Sequence, residues 1–164
     1  MNSQAVERLE SLHSIAQLKA QYCRCVDRKL WSELLELFTF DCRFEGMEAI
    51  LAQGASAEMY VSALARRHAT SISIHHCHSP EIVFISPNEA NGIWAMRDYN
   101  QWPIEDVPLE HAGSLGFRGY GHYEESYRRE GRVWRISALR LRRLRVDSIP
   151  RETRLKPVSL TKPR

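Results

Sequence analysis

Three histidines and a cysteine lie in the stretch "SISIHHCHSPEIVF", residues 71–84, and imidazole and thiol groups act as bases or metal ligands. The β-branched residues around them predict a strand. Side chains alternate between the faces of a strand, so His75 and Cys77 share one face while His76 and His78 share the other. Only two imidazoles then converge, and no CxxC or H-x-E motif supplies further zinc ligands. We expect no metal here, which leaves hydrogen-bonded structural histidines or one histidine that works as a general base.

A base of this kind needs a carboxylate to orient it, and two acids lie in apolar or aromatic surroundings. Asp27 ends the first predicted helix, where a solvated or ion-paired acid is the simpler interpretation. Asp98 follows "IWAMR" on a predicted strand and shares a face with Trp94 and Met96. Burial there is costly unless the acid is paired with the base or with a cross-strand arginine. Tyr22 lies about 140° round the helix from Asp27, so both face one pocket only if the helix ends or bends there.

Helices come first along the chain and strands follow, which predicts a sheet covered by helices. Tyr22 and Asp27 would then lie on a covering helix, and His75 and Asp98 on the sheet. Apolar spacing predicts helices over residues 4–27, 32–38 and 56–68, the last one capped by Ser56, and strands over 38–46, 72–85, 89–102, 117–130 and 132–146. We expect a loop over 103–116, one domain over 1–147 and a C-terminal tail over 148–164. A curved antiparallel sheet with helices on one face is an α+β cone with an internal pocket.

The composition excludes several classes of protein. With 164 residues, of which 43% are hydrophobic and 26% charged, the chain forms about one domain with a core of its own. The net charge is +3, but the basic C-terminal region lacks a basic-plus-aromatic module, so we expect no nucleic-acid partner. No apolar run is long enough for a membrane span, and no signal peptide is evident. Four cysteines without CxxC spacing predict a reduced, cytoplasmic protein.

The last predicted strand, "ISALRLRRLRV", carries several arginines. Alternation places Arg140 and Arg142 on one face, and Leu139, Leu141 and Arg143 on the other. One arginine directed into the cone would bind a carboxylate, carbonyl or phenolate of a ligand. Most of the others are expected to lie on a solvent or subunit face.

Four segments resemble the SnoaL-like branch of the nuclear-transport-factor-2-like (NTF2-like) superfamily, and together they cover most of residues 10–146. They are "QLKAQYCRCVDRKLWSELLELFTFDCRFEG", "HHCHSPEIVF", "NGIWAMRDY" and "GYGHYEESYRREGRVWRISALRLRRLRV". The resemblance implies the cone fold and a homodimer or homotrimer formed through the sheet. Enzymes of this branch include bile-acid 7α-dehydratase, scytalone dehydratase and hexachlorocyclohexane dehydrochlorinase. They expel a leaving group from a cyclic apolar substrate without a metal or organic cofactor.

The resemblance also implies site residues. The dehydrochlorinase pattern of a helix aspartate and a strand histidine falls on Asp27 and His75, and the bile-acid dehydratase pattern adds Tyr22 and Asp98. The catalytic arginine of the sheet falls on Arg140 or Arg142. The second histidine and the Ser/Asn pair of the scytalone enzyme have no clear match. The expected lining of the pocket is Trp31, Trp94, Met96 and Phe117, with Cys77 beside the base.

The function implied is a cofactor-independent lyase or isomerase that acts on a hydrophobic cyclic molecule, such as a steroid, polyketide, terpenoid or aromatic intermediate. His75 removes a proton from carbon, and Asp27 or Asp98 stabilises the imidazolium. Two alternatives remain. One is a binder of a hydrophobic ligand without catalysis. The other is a scaffold like the small subunit of a ring-hydroxylating dioxygenase, which would have no use for the four matched residues.

Overall fold

The computed structural model describes residues 3–48 and 50–151. The helices are α1 (Ser3–Arg28), α2 (Trp31–Leu35) and α3 (Ala57–Arg67), and the strands are β1 (Phe38–Glu45), β2 (Ile72–Ser86), β3 (Glu89–Gln101), β4 (Ser114–Glu130) and β5 (Val133–Pro150). Two short 3₁₀ turns, Ile104–Asp106 and Leu109–His111, lie between β3 and β4. The predicted α+β cone is confirmed.

The five strands form one sheet in the order β1-β5-β4-β3-β2. β1 runs parallel to β5, and the other neighbours are antiparallel. Strands β2 to β5 are 13 to 18 residues long, and strands of this length twist enough to curl the sheet around the helices. The strand β3 shows the expected alternation, since Trp94, Met96 and Asp98 are buried while Ile93 and Arg97 are exposed.

The long helix α1 packs against the inner face of the sheet and ends sharply. Its buried stripe includes Ile15, Leu18, Tyr22 and Val26, which recur at helical spacing. The N–H of Leu30 donates to the carbonyl oxygen of Cys25 at 2.8 Å, and the N–H of Lys29 donates to that of Val26 at 3.2 Å. With Lys29 at φ 61°, these bonds form a Schellman motif. Asp27 therefore lies in the last turn of α1.

A buried ion pair joins α1 to the sheet. The side chains of Lys19 and Glu125 are 1% and 0% exposed and contact each other. The Lys19 ammonium also lies 4.2 Å from the ring centre of Tyr22 and 3.6 Å from that of Tyr123. Tyr127 donates its hydroxyl hydrogen to Glu125. The buried carboxylate thus has a cation and a hydroxyl donor, which offset the cost of removing it from water.

Three predicted boundaries are wrong. The second helix ends at Leu35, because Leu37 already accepts a hydrogen bond from Ile136 of β5 at 2.8 Å. The predicted loop over 103–116 gives way to β4 at Ser114, and the strand β5 continues to Pro150 instead of yielding to a tail at 148. Ile149 is fully buried and pairs with Gly116. The rest of the predicted tail, from residue 152, lies outside the described residues.

The other elements agree with the sequence patterns. Ser56 caps α3 as predicted, since its Oγ accepts a hydrogen bond from the N–H of Met59 at 3.3 Å. The turn between β2 and β3 falls at residues 87–88, and the turn between β4 and β5 at residues 131–132. Within the described part of the chain, no helix is long and apolar enough to span a membrane.

Candidate active site

Asp27 and His75 form a dyad between the end of α1 and the inner face of β2. Oδ1 of Asp27 lies 2.7 Å from Nδ1 of His75, and Oδ2 accepts the main-chain N–H of the same residue at 2.9 Å. An ionised carboxylate only accepts hydrogen bonds, so Nδ1 of His75 carries the hydrogen and Nε2 of the neutral imidazole keeps its lone pair. The His75 side chain is 8% exposed and lines a cavity. The dyad therefore presents an oriented base.

The position of Asp27 is electrostatically unfavourable in the helix itself. A carboxylate in the last turn of a helix faces the negative end of the macrodipole, which costs a few tenths of a kcal/mol up to about 1 kcal/mol. The two hydrogen bonds from His75 offset that cost. A carboxylate placed there is consequently better explained by the histidine than by the stability of α1.

The cavity beside His75 has a volume of about 130 Å³ and lies between the inner face of the sheet, α1 and α3. Its wall combines apolar side chains with polar and charged groups. The apolar lining includes Val26, Met47, Ile50, Leu64, Phe117 and Leu141, and the polar lining is Tyr22, Tyr60, Arg67, His68, His75, Asp98, Asn100, Tyr123 and Arg143.

Asp98 pairs with Arg143 and not with His75. Nη1 of Arg143 donates to Oδ1 of Asp98 at 3.0 Å, and Nη2 donates to Oδ2 at 2.6 Å, which is a bidentate pair. The Asp98 side chain is 2% exposed and that of Arg143 is 29% exposed. Although burial opposes it, the hydrogen bonds and charge of Asp98 raise the pKa of Arg143. A fixed guanidinium cation therefore forms part of the cavity wall.

A glycine in β4 makes room for this ion pair. Gly119 lies opposite Asp98 in the β3–β4 ladder. A Cβ atom at Gly119 would lie 1.8 Å from Nη1 of Arg143 and 2.2 Å from Oδ1 of Asp98. The pair thus crosses directly over the backbone of β4. Gly119 was missed from the sequence, although a glycine inside a strand is itself a signal of close approach.

Tyrosine hydroxyls occupy the helix side of the cavity. The hydroxyls of Tyr22 and Tyr60 lie 2.7 Å apart in a hydrogen bond. Burial is the main cause that raises the pKa of Tyr22, and the neighbouring Tyr123 and Tyr60 add to it. Burial likewise raises the pKa of Tyr60 and of Tyr123. These phenols are neutral at neutral pH, and because one hydroxyl of the Tyr22–Tyr60 pair donates to the other, the second keeps its hydrogen for a ligand oxygen.

Two further polar side chains of the wall were not predicted. Burial, aided by the positive charges of Lys29 and Arg67, lowers the pKa of His68 to about 3, so this histidine is neutral. Asn100 is 1% exposed, and its Oδ1 finds no hydrogen-bond partner among the described residues. Asn100 follows Asp98 by two residues on β3, so strand alternation alone would have placed it on the inner face.

A family model for the SnoaL-like domain matches residues 7–140, which is most of the chain. The chain belongs to the SnoaL-like family. The curated relative "Probable cyclase FGR4" of Gibberella zeae is 27% identical over 146 residues, which cover 82% of this chain and 92% of the relative.

Solved structures show the same fold as this SnoaL-like chain. A candidate scytalone dehydratase of Novosphingobium aromaticivorans superposes with a TM-score of 0.74 at 19% identity, covering 90% of this chain and 97% of that one. The hexachlorocyclohexane dehydrochlorinase LinA type 2 gives a TM-score of 0.71 at 18% identity, covering 88% and 93% of the two chains. The NTF2-like cone inferred from the resemblance is thereby confirmed.

The site of this SnoaL-like protein unites four of the five residues predicted to be catalytic. Tyr22, His75 and Asp98 line the cavity, and Asp27 contacts His75. Arg140 does not reach the cavity, because its exposed side chain pairs with Glu45 at 3.1 Å and with Glu124 at 3.6 Å on the outer surface. Arg142 is also exposed and pairs with Glu124 at 3.4 Å. The arginine of the cavity is Arg143, which shares its face with Leu139 and Leu141.

Of the residues predicted to line the pocket, only Phe117 does so. Trp94 and Met96 are on the inner face but belong to the core, where Trp94 donates its indole N–H to Tyr127 at 2.7 Å. Trp31 packs on the edge of that core, and Cys77 faces Cys23 of α1. His76 and His78 are exposed on the opposite side of β2, as alternation predicted. Over residues 3–48 and 50–151, no three His, Cys, Asp or Glu side chains are grouped as metal ligands.

Proposed function

We propose that this protein is a cofactor-independent lyase or isomerase that begins by removing a proton from carbon in a small cyclic substrate. The observation that carries the proposal is the hydrogen bond from Nδ1 of His75 to Asp27, made by a histidine that lines a cavity. The names of the relatives, a cyclase, a dehydratase and a dehydrochlorinase, support an enzyme of this general kind.

In the proposed reaction, Nε2 of His75 takes the proton from a carbon next to a carbonyl group. The imidazolium that results is stabilised by Asp27, which keeps its own charge. The guanidinium of Arg143 faces the negative oxygen that develops on the substrate, and it is held there by Asp98 before the reaction starts. With Tyr60 as the donor in the Tyr22–Tyr60 hydrogen bond, the hydroxyl of Tyr22 donates its own hydrogen to a leaving hydroxyl or to the carbonyl oxygen.

The size of the cavity restricts the substrate. A closed apolar cavity of about 150 Å³ accommodates benzene. The 130 Å³ here therefore suits one six-membered ring at a time. A steroid or another polycycle would present a single ring to His75 and leave the remainder at the cavity entrance.

Exchange of carbon-bound hydrogen in D₂O tests the proposal without knowledge of the natural substrate. We expect the protein to accelerate deuterium incorporation next to the carbonyl of single-ring ketones such as 2-cyclohexen-1-one, measured by NMR. His75→Ala should remove this acceleration, and Asp27→Asn should reduce it by a factor of about 10²–10⁴. His76→Ala is the matched control, because His76 lies on the same strand but faces outward.

Exchange in His75→Ala at the rate of the unchanged protein would refute the assignment of the base. Ligand binding by the unchanged protein, without any acceleration of exchange across a panel of ketones, would support the non-catalytic binder instead.

We also propose that copies of this chain associate through the outer face of the sheet. Ile72, Ile74 and Ile93 lie on that face with 61%, 42% and 40% of their surface exposed. Light scattering after gel filtration should give twice or three times the mass of 19.0 kDa. Ile74→Lys should shift the protein to the monomer, and a monomeric unchanged protein would contradict the proposal.

A further inference from the structure

Two cysteines face each other across the seam between α1 and β2, close to the dyad. The Sγ atoms of Cys23 and Cys77 lie 3.5 Å apart, although the residues are 54 positions apart in the sequence. Cys23 is 8% exposed and Cys77 is half-buried, and both are free thiols. A disulfide has an S–S distance of about 2.05 Å, so the two sulfur atoms must approach each other by about 1.5 Å to form the bond.

The surroundings of this pair favour a thiolate. The hydrogen bond with Cys77 is the main cause that lowers the pKa of Cys23 to about 7, against the effect of burial, and the Lys19 ammonium adds to it. The same hydrogen bond, together with burial, raises the pKa of Cys77, so the Cys77 thiol is the donor when Cys23 is ionised. By contrast, burial raises the pKa of Cys42 to about 12 and raises that of Cys25. Thiolates are the reactive form of cysteine.

We propose that Cys23 and Cys77 form a reversible disulfide when the protein meets a small hydroperoxide such as hydrogen peroxide. The Cys23 thiolate attacks one peroxide oxygen, the O–O bond breaks, and the products are a sulfenic acid on Cys23 and hydroxide. The Cys77 sulfur then attacks the Cys23 sulfur, the S–OH bond breaks, and the departing hydroxide takes up the Cys77 proton as water. The proton that Cys23 released on forming its thiolate converts the first hydroxide to water. In sum, two thiols lose two electrons and two protons, and one peroxide becomes two water molecules.

The disulfide would lie beside the proposed catalytic pair. Cys23 precedes Asp27 by four residues, one turn of α1, and Cys77 follows His75 by two residues on the same face of β2. Both pairs therefore join the same helix to the same strand. Oxidation would replace a contact in this seam by a covalent bond. The inference is independent of the proposed reaction, because it concerns only the two sulfur atoms and their neighbours.

The test is oxidation of the purified full-length protein with an equimolar amount of hydrogen peroxide. We expect two of the four thiols to be lost, an intact mass 2 Da below that of the reduced protein, and recovery of both thiols with dithiothreitol. A peptide map without reduction should join the peptides of Cys23 and Cys77. The cross-link should also raise the melting temperature by about 10 °C, because it closes a long loop in the unfolded chain.

Matched variants distinguish this pair from the other two thiols. Cys77→Ser keeps a hydroxyl donor beside Cys23 but cannot form the disulfide, so it should lose the 2 Da change and accumulate a sulfenic acid on Cys23, which dimedone traps. Cys25→Ala and Cys42→Ala should still lose 2 Da. The proposal would be overturned by four unmodified thiols, by a bond that involves Cys25 or Cys42, or by cross-links only between chains. The peptide map of the unchanged protein decides the question even if a variant fails to fold.

Discussion

Gly119→Ala should destabilise this protein far more than an ordinary glycine substitution in a strand. A methyl group at this position would overlap Nη1 of Arg143 at 1.8 Å and Oδ1 of Asp98 at 2.2 Å. The guanidinium lies at the end of a long side chain and can move away. Asp98 is short, and its side chain is only 2% exposed, so it would remain buried with its partner displaced.

The size of the effect follows from that geometry. Removal of one partner from a buried ion pair costs about 3–5 kcal/mol, and displacement should cost less than complete removal. Replacement of a glycine by alanine also reduces the conformational entropy of the unfolded chain, which by itself stabilises the folded protein by about 0.4–1 kcal/mol. We therefore expect the free energy of unfolding to fall by about 2–3 kcal/mol, and the melting temperature to fall by roughly 4–12 °C for a protein of this size.

Urea denaturation followed by tryptophan fluorescence measures the change. The control places Gly119→Ala in a background that carries Asp98→Ala and Arg143→Ala, where neither side chain of the pair reaches over the backbone of Gly119. If the methyl group acts through the pair, its cost in that background should shrink to within about 1 kcal/mol of zero. A loss below about 0.5 kcal/mol in the otherwise unchanged protein, or an equal loss in both backgrounds, would refute the reasoning.

Three further outcomes are expected. Lys19→Met should lower the free energy of unfolding by about 3–5 kcal/mol, because it leaves Glu125 buried without its cation. The control Arg24→Met, on the exposed side of α1, should change it by under about 0.5 kcal/mol. Equal losses of stability for the two variants in urea denaturation would contradict this account. The pKa of His68 is lowered to about 3 in the folded protein, so as the pH falls the unfolded chain binds a proton on His68 before the folded protein does. The free energy of unfolding should therefore decrease as the pH falls from about 6.5 to 3, by up to about 1.4 kcal/mol per pH unit. His68→Gln should flatten that slope in urea denaturation measured across this pH range. Ser56→Ala should cost about 1 kcal/mol by removing the cap of α3, and no change in the urea midpoint would show that the cap contributes nothing.

Strand alternation predicted more of this site than any other pattern did. It separated His75 from His76 and His78, and it placed Asp98 on the buried face of β3, because a period of two leaves little freedom once one face is apolar. The contact between Asp27 and His75 needed more than a period, since 48 residues separate the two positions. The family resemblance supplied that contact.

The cavity arginine was misplaced for a physical reason. Register shifts between β4 and β5 lie at Ser126/Tyr127 and Tyr120/Gly121, and each shift changes which residues of the hairpin face inward. Position counting along the family pattern cannot detect such shifts. The alternation within β5 itself did contain the answer, because Leu139 and Leu141 are more buried than Arg140 and Arg142, and they share their face with Arg143.

The lining of the cavity was predicted poorly because large apolar residues were assumed to border it. Trp94 and Met96 instead fill the core, where large side chains exclude water most effectively. The cavity wall is built largely from tyrosine, histidine, asparagine and arginine, whose polar atoms meet whatever enters. Hydrophobicity by itself cannot distinguish a residue that packs against its neighbours from one that borders an empty space.

The length and the sharp end of α1 fix the position of Asp27 relative to the sheet. Its buried stripe fixes its rotation against the sheet, and the Schellman turn at Lys29 fixes where it stops. An insertion of one residue between Ile15 and Asp27 would turn the carboxylate by about 100° and move it about 1.5 Å along the axis, away from His75. The helix should therefore accept many changes of residue type but no change of length over this stretch.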